Sequence, residues 1–218
     1  MTRLIIIRHG ESVTNLTGIF TGQLDVPLTE QGQLQAELAA RYVCENFKID
    51  EIYSSDLQRA YNTALPIAKR LGLEIKTSEK IRELDAGDWK GIHFKKLDEL
   101  YPEERKRYAE GRSYSRCTGG ESIGELYERS VGGFLEIAAE NDGKTVAVTS
   151  HGGAIRCFIG YAADLDADSF RDIPGLKNTE ICIFEVEGNK ATLIKRNITD
   201  HLTVYEEKTT TESIGKET

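Results

Sequence analysis

Apolar positions along this chain follow two alternating rhythms. Thr2–Arg8 (TRLIIIR) is a β-branched apolar run that stops at Gly10, which predicts a strand buried on both faces. Thr29–Phe47 opens on a Thr suited to cap a helix and places Leu34, Leu38, Tyr42 and Val43 at helical spacing. Glu51–Tyr53 is a short strand leading into Ser54-Ser55-Asp56, a helix N-cap signal, with a helix over Leu57–Leu71 that Pro66 is expected to kink or end. Glu74–Lys76 reads as a strand, Ile92–Arg112 as one charged helix, and Glu121–Glu140 as a helix interrupted at Gly132-Gly133. Thr145–Ser150 (TVAVTS) is a second buried strand, running into His151-Gly152-Gly153 and a helix to about Ala163. Glu180–Val186 and Ala191–Asn197 form a hairpin about Gly188-Asn189. Strand and helix in alternation predict an α/β domain with a mostly parallel sheet covered on both faces, over residues 1–205, with a polar tail at 206–218.

Composition narrows the class. With 218 residues, 39% apolar and 29% charged, the chain has ordinary globular content and ample length for a packed core. Nothing approaches the ~20 apolar residues of a membrane span, and Leu4–Ile7 is too short for a signal-peptide core. The cysteines Cys44, Cys117, Cys157 and Cys182 are scattered without a C-x-x-C pair. That disfavours disulfides and zinc and suits a reducing, cytoplasmic compartment. A net charge of −8 argues against nucleic acid or an anionic membrane as partner. It leaves room for a small anionic substrate, since a pocket's local charge can oppose the total.

In open α/β sheets ligands gather beyond the carboxyl ends of the strands. Three strand-to-helix junctions carry polar residues there: Arg8-His9-Gly10-Glu11-Ser12, Ser54-Ser55-Asp56-Leu57-Gln58-Arg59 and Ser150-His151-Gly152-Gly153. Arg8 and Arg59 suit a phosphoryl group because each guanidinium binds its oxygens bidentately. One His can act as nucleophile while the other stabilises charge at phosphorus. Neighbouring Arg side chains are expected to keep the nucleophilic His neutral near pH 7. Glu11 and Ser12 suit capping at least as well as ligand contact, and His93 and His201 fall outside the junctions. Asp85 and Asp88 lack the His or Cys that a metal site needs, so no metal is expected.

These junctions, together with LIIIRHGESVTN, FTGQLDVPLTEQG, SSDLQRAYNTA, IRELDAGDWKG, GGES and TSHGG in that order, make the chain similar to the histidine phosphatase superfamily, in its phosphoglycerate-mutase-like branch. The resemblance spans about Thr2 to Asn197. It implies a three-layer α/β/α sandwich and a phosphohistidine on His9. It implies a phosphate pocket completed by Arg8, Arg59 and His151, with Asn15, Thr21, Gly22 and Gly152 assisting. It also implies Glu83 as proton donor, with no metal or cofactor. Arg8, Arg59 and a protonated His151 would then supply the positive charge that Mg²⁺ provides elsewhere.

Mutases of that family carry an Arg/Tyr-rich insertion after the proton-donor Glu. Here Glu83 is followed by LDAGDWKG, without Arg or Tyr. The expected activity is therefore a metal-independent phosphomonoesterase acting on small soluble phosphate esters. Phosphoglycerate mutase is the alternative, and a non-catalytic phospho-ligand-binding module is a third reading. Ile92–Gly120 is the expected substrate-facing segment, with Lys95, Lys96, Arg105, Lys106, Arg107, Arg112 and Arg116 lying among acids. Arg112, Tyr114 and Arg116, in the loop before Gly119-Gly120, are expected to touch substrate, and most of the other cations suit a solvated helix face. The edge strands within Glu180–Asn197 offer a surface for pairing into a homodimer.

Overall fold

The computed structural model describes residues 1–203. Its strands are β1 (Thr2–Arg8), β2 (Glu51–Ser54), β3 (Ile75–Thr77), β4 (Thr145–Ser150), β5 (Ile181–Glu187) and β6 (Lys190–Ile198). They form one sheet in the order β3-β2-β4-β1-β5-β6. The first four run parallel, whereas β5 is antiparallel to β1 and β6 antiparallel to β5. Helices α1 (Val13–Thr17), α2 (Glu30–Asn46), α3 (Gln58–Leu71), α4 (Phe94–Leu100), α5 (Pro102–Glu110), α6 (Ile123–Glu140) and α7 (Gly152–Ala162) complete the chain order. Among the described residues no helix is long and apolar enough to cross a membrane. The polar tail at 206–218 lies outside the described residues.

The β-branched run of β1 explains the layering. Leu4 to Ile7 are all fully buried, and alternate side chains point to opposite faces. Ile5 and Ile7 join Ile52 and Ala147 against Ala40 and Val43 of α2 and Ala64 and Ile67 of α3. Leu4 and Ile6 join Val146 and Val148 against Phe134 and Ile137 of α6 and Ile155 and Phe158 of α7. The result is a three-layer α/β/α sandwich. Register then aligns the strand ends that matter: Arg8 lies opposite Ser150, and Ser54 opposite Thr149. The residues that follow emerge side by side at the carboxyl ends of these neighbouring strands.

Four local expectations need correction. Helix α3 runs through Pro66 without ending, although an interior Pro forfeits a hydrogen bond and costs about 3 kcal/mol. The buried Ala64, Ile67 and Ala68 on that stretch hold it against the sheet. Helix α6 is likewise unbroken at Gly132-Gly133. Gly133 is small because a Cβ there would stand 2.7 Å from Lys80 Cβ, so the glycine admits a neighbouring turn. The helix expected over Ile92–Arg112 is two helices, because Pro102 cannot continue α4 and instead opens α5. Finally, Ser54-Ser55-Asp56 does not cap α3. The Gln58 N–H instead donates to Asp25 Oδ1 at 2.8 Å, leaving Ser55 and Asp56 for other partners. The Thr29 cap of α2 and the hairpin turn at Gly188-Asn189 are as expected.

Candidate active site

His9 and His151 follow β1 and β4 directly, and their ring centroids are 5.2 Å apart. Both are buried. His9 Nδ1 lies 2.7 Å from the Gly10 carbonyl, which can only accept, so Nδ1 carries the proton. Burial first, then Arg59 and Arg8, hold the His9 pKa well below its usual 6.5. The neutral ring therefore presents the lone pair of Nε2. His151 Nε2 lies 2.8 Å from Ser55 Oγ, and its buried Nδ1 has no hydrogen-bond partner among the described residues. Burial, Arg59, His9 and Arg8 also hold His151 well below 6.5.

Arg59, the second residue of α3, is fully buried and donates to the carbonyls of Leu24 and Gly22, each at 2.8 Å. It thereby ties the loop at Gly22 and Leu24 to the start of α3. Burial pulls its pKa down to about 10, still far above neutrality. The loop needs Gly22, whose φ is +51° and whose Cβ would stand 2.5 Å from Ala86 Cβ. Arg8 donates to the Leu176 carbonyl, and its buried Nε has no hydrogen-bond partner among the described residues. Thr179 and Asn178 fix the backbone behind it, through Thr179 N–H to the Arg8 carbonyl at 3.1 Å and Asn178 Nδ2 to the His9 carbonyl at 3.0 Å. Asn15 Oδ1 accepts from the Ser12 N–H at 2.9 Å, which places Asn15 at the rim of the cleft. Ser12 is the N-cap of α1, while Glu11 accepts from Thr29 Oγ1 at 2.7 Å, so both serve the local backbone.

Glu83 reaches the same cleft from the loop after a short 3₁₀ turn at Glu79–Ile81. Its two carboxylate oxygens accept from the N–H groups of Leu84 (2.9 Å) and Gly153 (3.1 Å). A Cβ at Gly153 would stand 2.2 Å from Glu83 Oε1, so a glycine is required for this approach. The cleft has a volume of about 640 Å³ and is lined by Arg8, Asn15, Thr21, Gly22, Glu83 and Gly152, with Phe20 and Phe94 at its apolar side. Among the described residues no cluster of three or more His, Cys, Asp and Glu is arranged to hold a metal.

The structure does not bring Arg112 and Arg116 to this cleft. Arg112 is exposed, and Arg116 is committed to Glu125 at 2.7 Å and to the Gly120 carbonyl at 2.6 Å. Tyr114 is exposed and bonds Glu110. Arg105 and Tyr108, within the expected substrate-facing segment Ile92–Gly120, line the cleft instead, joined by Arg156 and Arg171, which sequence reasoning passed over. Also passed over, Arg129 acts behind it. Its guanidinium grips Glu121 through two bonds of 2.6 and 2.7 Å and donates to the carbonyls of Lys80, Arg82 and Glu83. Glu121 in turn accepts from the Asp85 N–H at 3.0 Å. The pair fixes the loop that carries Glu83. The i, i+8 spacing of Glu121 and Arg129 was the available signal, and it is too common on helices to single out.

Comparison with known proteins agrees with this geometry. Phosphoserine phosphatase 1 of Hydrogenobacter thermophilus is 35% identical over 202 residues, covering 93% of this chain and 95% of that protein. The solved mutant phosphoserine phosphatase of Entamoeba histolytica, in complex with phosphoserine, superposes with a TM-score of 0.81 at 32% identity, covering 93% of this chain and 100% of that one. A mycobacterial glucosyl-3-phosphoglycerate phosphatase in complex with VO3 gives a TM-score of 0.81 at 29% identity, covering 89% of this chain and 98% of that one. The family whose pattern matches, over residues 4–199, is the histidine phosphatase superfamily (branch 1), and the chain belongs to it.

Proposed function

We propose that this protein is a phosphomonoesterase in which His9 Nε2 takes the phosphoryl group from a small phosphate ester and water then releases it. The observation that carries this reading is the tautomer of His9. Its proton is fixed on Nδ1 by the Gly10 carbonyl, and its pKa is depressed by burial, Arg59 and Arg8, so an unprotonated ring nitrogen is available beside Arg59, Arg8 and His151. An incoming phosphate dianion supplies the negative charge that burial denies to a protonated His151, so substrate and proton arrive together. Arg8 and Arg59 remain charged throughout and neutralise the equatorial oxygens without a metal ion. Glu83 gives a proton to the leaving oxygen, then takes one from the water that attacks phosphohistidine.

The named phosphatases among its relatives support hydrolysis over the mutase reading. The short stretch after Glu83, which folds into the 3₁₀ turn Gly87–Trp89, supports it too. Four free cysteines suit a cytoplasmic location, and a homodimer through the outer edge of β6 is the matching proposal for assembly. The test is chemical. During turnover in excess EDTA, acid-labile and base-stable phosphate is expected on the protein and absent from His9→Ala. Label persisting in that variant, or activity lost to EDTA and restored by Mg²⁺, overturns the proposal.

A further inference from the structure

The far half of the cleft carries more positive charge than a phosphate monoester consumes. Beyond Arg8 it is lined by Arg105, Arg156 and Arg171, and its lining carboxylate is Glu83. Arg105 has a partner, since Nε pairs with Asp98 at 2.9 Å while the guanidinium lies over Trp89, 5.6 Å from the ring centroid. Arg156 and Arg171 differ. Among the described residues neither forms an ion pair with a carboxylate.

Each is held by apolar and backbone groups instead. The Arg156 guanidinium lies 4.1 Å from the Phe170 ring centroid and donates to the Phe170 carbonyl, and its buried Nε has no hydrogen-bond partner among the described residues. Arg171 lies over Tyr108 at 5.5 Å and donates to the Tyr108 carbonyl at 3.2 Å. Gly111 makes room for it, because a Cβ there would stand 1.9 Å from Arg171 Cγ. Burial and the neighbouring Arg171 both act against the charge on Arg156. Two adjacent cations, fixed on aromatic rings and lacking an acid, form an anion site that the protein itself leaves unfilled.

Position supplies the rest. Gly152 and Gly153 begin α7 beside Arg8, and Arg156 follows one turn later on the same helix face, about 5.4 Å further along the axis. We infer that Arg156 and Arg171 bind a carboxylate of the substrate, placed two or three bonds beyond the ester oxygen. Because His9 and its neighbours take the phosphoryl end, this rests on the phosphatase reading above. The substrate class is then a phosphorylated small hydroxy or amino acid, oriented with its carboxylate toward Phe170 and its ester oxygen toward Glu83.

A matched pair of substrates isolates the carboxylate. 3-Phosphoglycerate and glycerol 3-phosphate share a carbon chain and differ in a carboxylate against a hydroxymethyl group. The wild-type protein is expected to favour the acid in kcat/KM by about 10–100-fold, the range of a charged hydrogen-bonded contact. Arg156→Gln and Arg171→Gln should each collapse that ratio toward unity, chiefly through the KM of the acid. Arg171 is exposed, so its variant keeps the test open if Arg156→Gln folds poorly. Equilibrium binding of both compounds to His9→Ala by calorimetry removes turnover from the comparison. A wild type that binds the two equally overturns the inference, as do variants that keep the preference. Loss of hydrolysis for every ester, with the binding preference intact, would count instead against the phosphatase reading.

Discussion

At the scale of single residues, the site is a set of proton positions fixed by carbonyls and burial. The sharpest consequence concerns Glu83, whose oxygens both lie on backbone N–H groups beside the cleft. A general acid contributes about 10²–10⁴-fold, and only when the departing oxygen is basic. Glu83→Gln is therefore expected to slow single-turnover release of an alcohol from an alkyl phosphate strongly, and release of p-nitrophenol much less. Equal slowing of both would remove Glu83 as the acid. Arg8, His9 and His151 were legible in the sequence because they sit at strand ends, where chain order and spatial order coincide, whereas Glu83, in a loop after a 3₁₀ turn, was legible only through the family resemblance. Arg156 and Arg171 were not. Their role depends on the aromatic rings they lie against and on the acids they lack, and neither property has a local signature. The loop cations Arg112 and Arg116 attracted attention by proximity to Gly119-Gly120, yet Gly120 spends its carbonyl on Arg116.

At the scale of elements, helix α7 joins the two halves of the chemistry. Its first turn meets Arg8 and Glu83, and its second presents Arg156. Gly153→Ala is expected to raise the intrinsic helix preference of that turn while pushing the Glu83 carboxylate aside, since the new Cβ would stand 2.2 Å from Oε1. Restoring ordinary contact moves the carboxylate by about 1 Å, and a misplacement of about 1 Å costs about 10²-fold in kcat. Thermal unfolding should change little while alkyl-phosphate turnover falls. An unchanged kcat would show that Glu83 adapts freely. The elements themselves were readable where periodicity was strong, as in β1, β4 and α2. The misreadings arose at Pro66, Gly132-Gly133 and Pro102. Two of these lie inside helices that packing holds intact, and the third divides a run that charge pattern alone left continuous.

At the scale of the whole molecule, three buried imidazoles couple stability to pH. Burial holds His9 and His151 well below 6.5, and His201, 3.1 Å from Thr179 Oγ1, is lowered to about 4. A depressed histidine binds fewer protons folded than unfolded, so stability is full above about pH 6.5 and falls as pH drops toward the folded values. The melting temperature should therefore decline between pH 7 and pH 5. Inorganic phosphate should oppose part of this decline by favouring protonation of the two site histidines, leaving the part due to His201. A melting temperature flat over that interval would contradict the buried-imidazole account. The same packing has an optical consequence. Trp89, the sole tryptophan of the sequence, is fully buried against Phe20, Tyr101 and Tyr108, and Tyr108 and Phe20 also line the cleft. Its fluorescence thus reports on the aromatic cluster beside the site, and a red shift that precedes loss of helical circular dichroism would time the separation of Tyr101 and Tyr108 from Trp89.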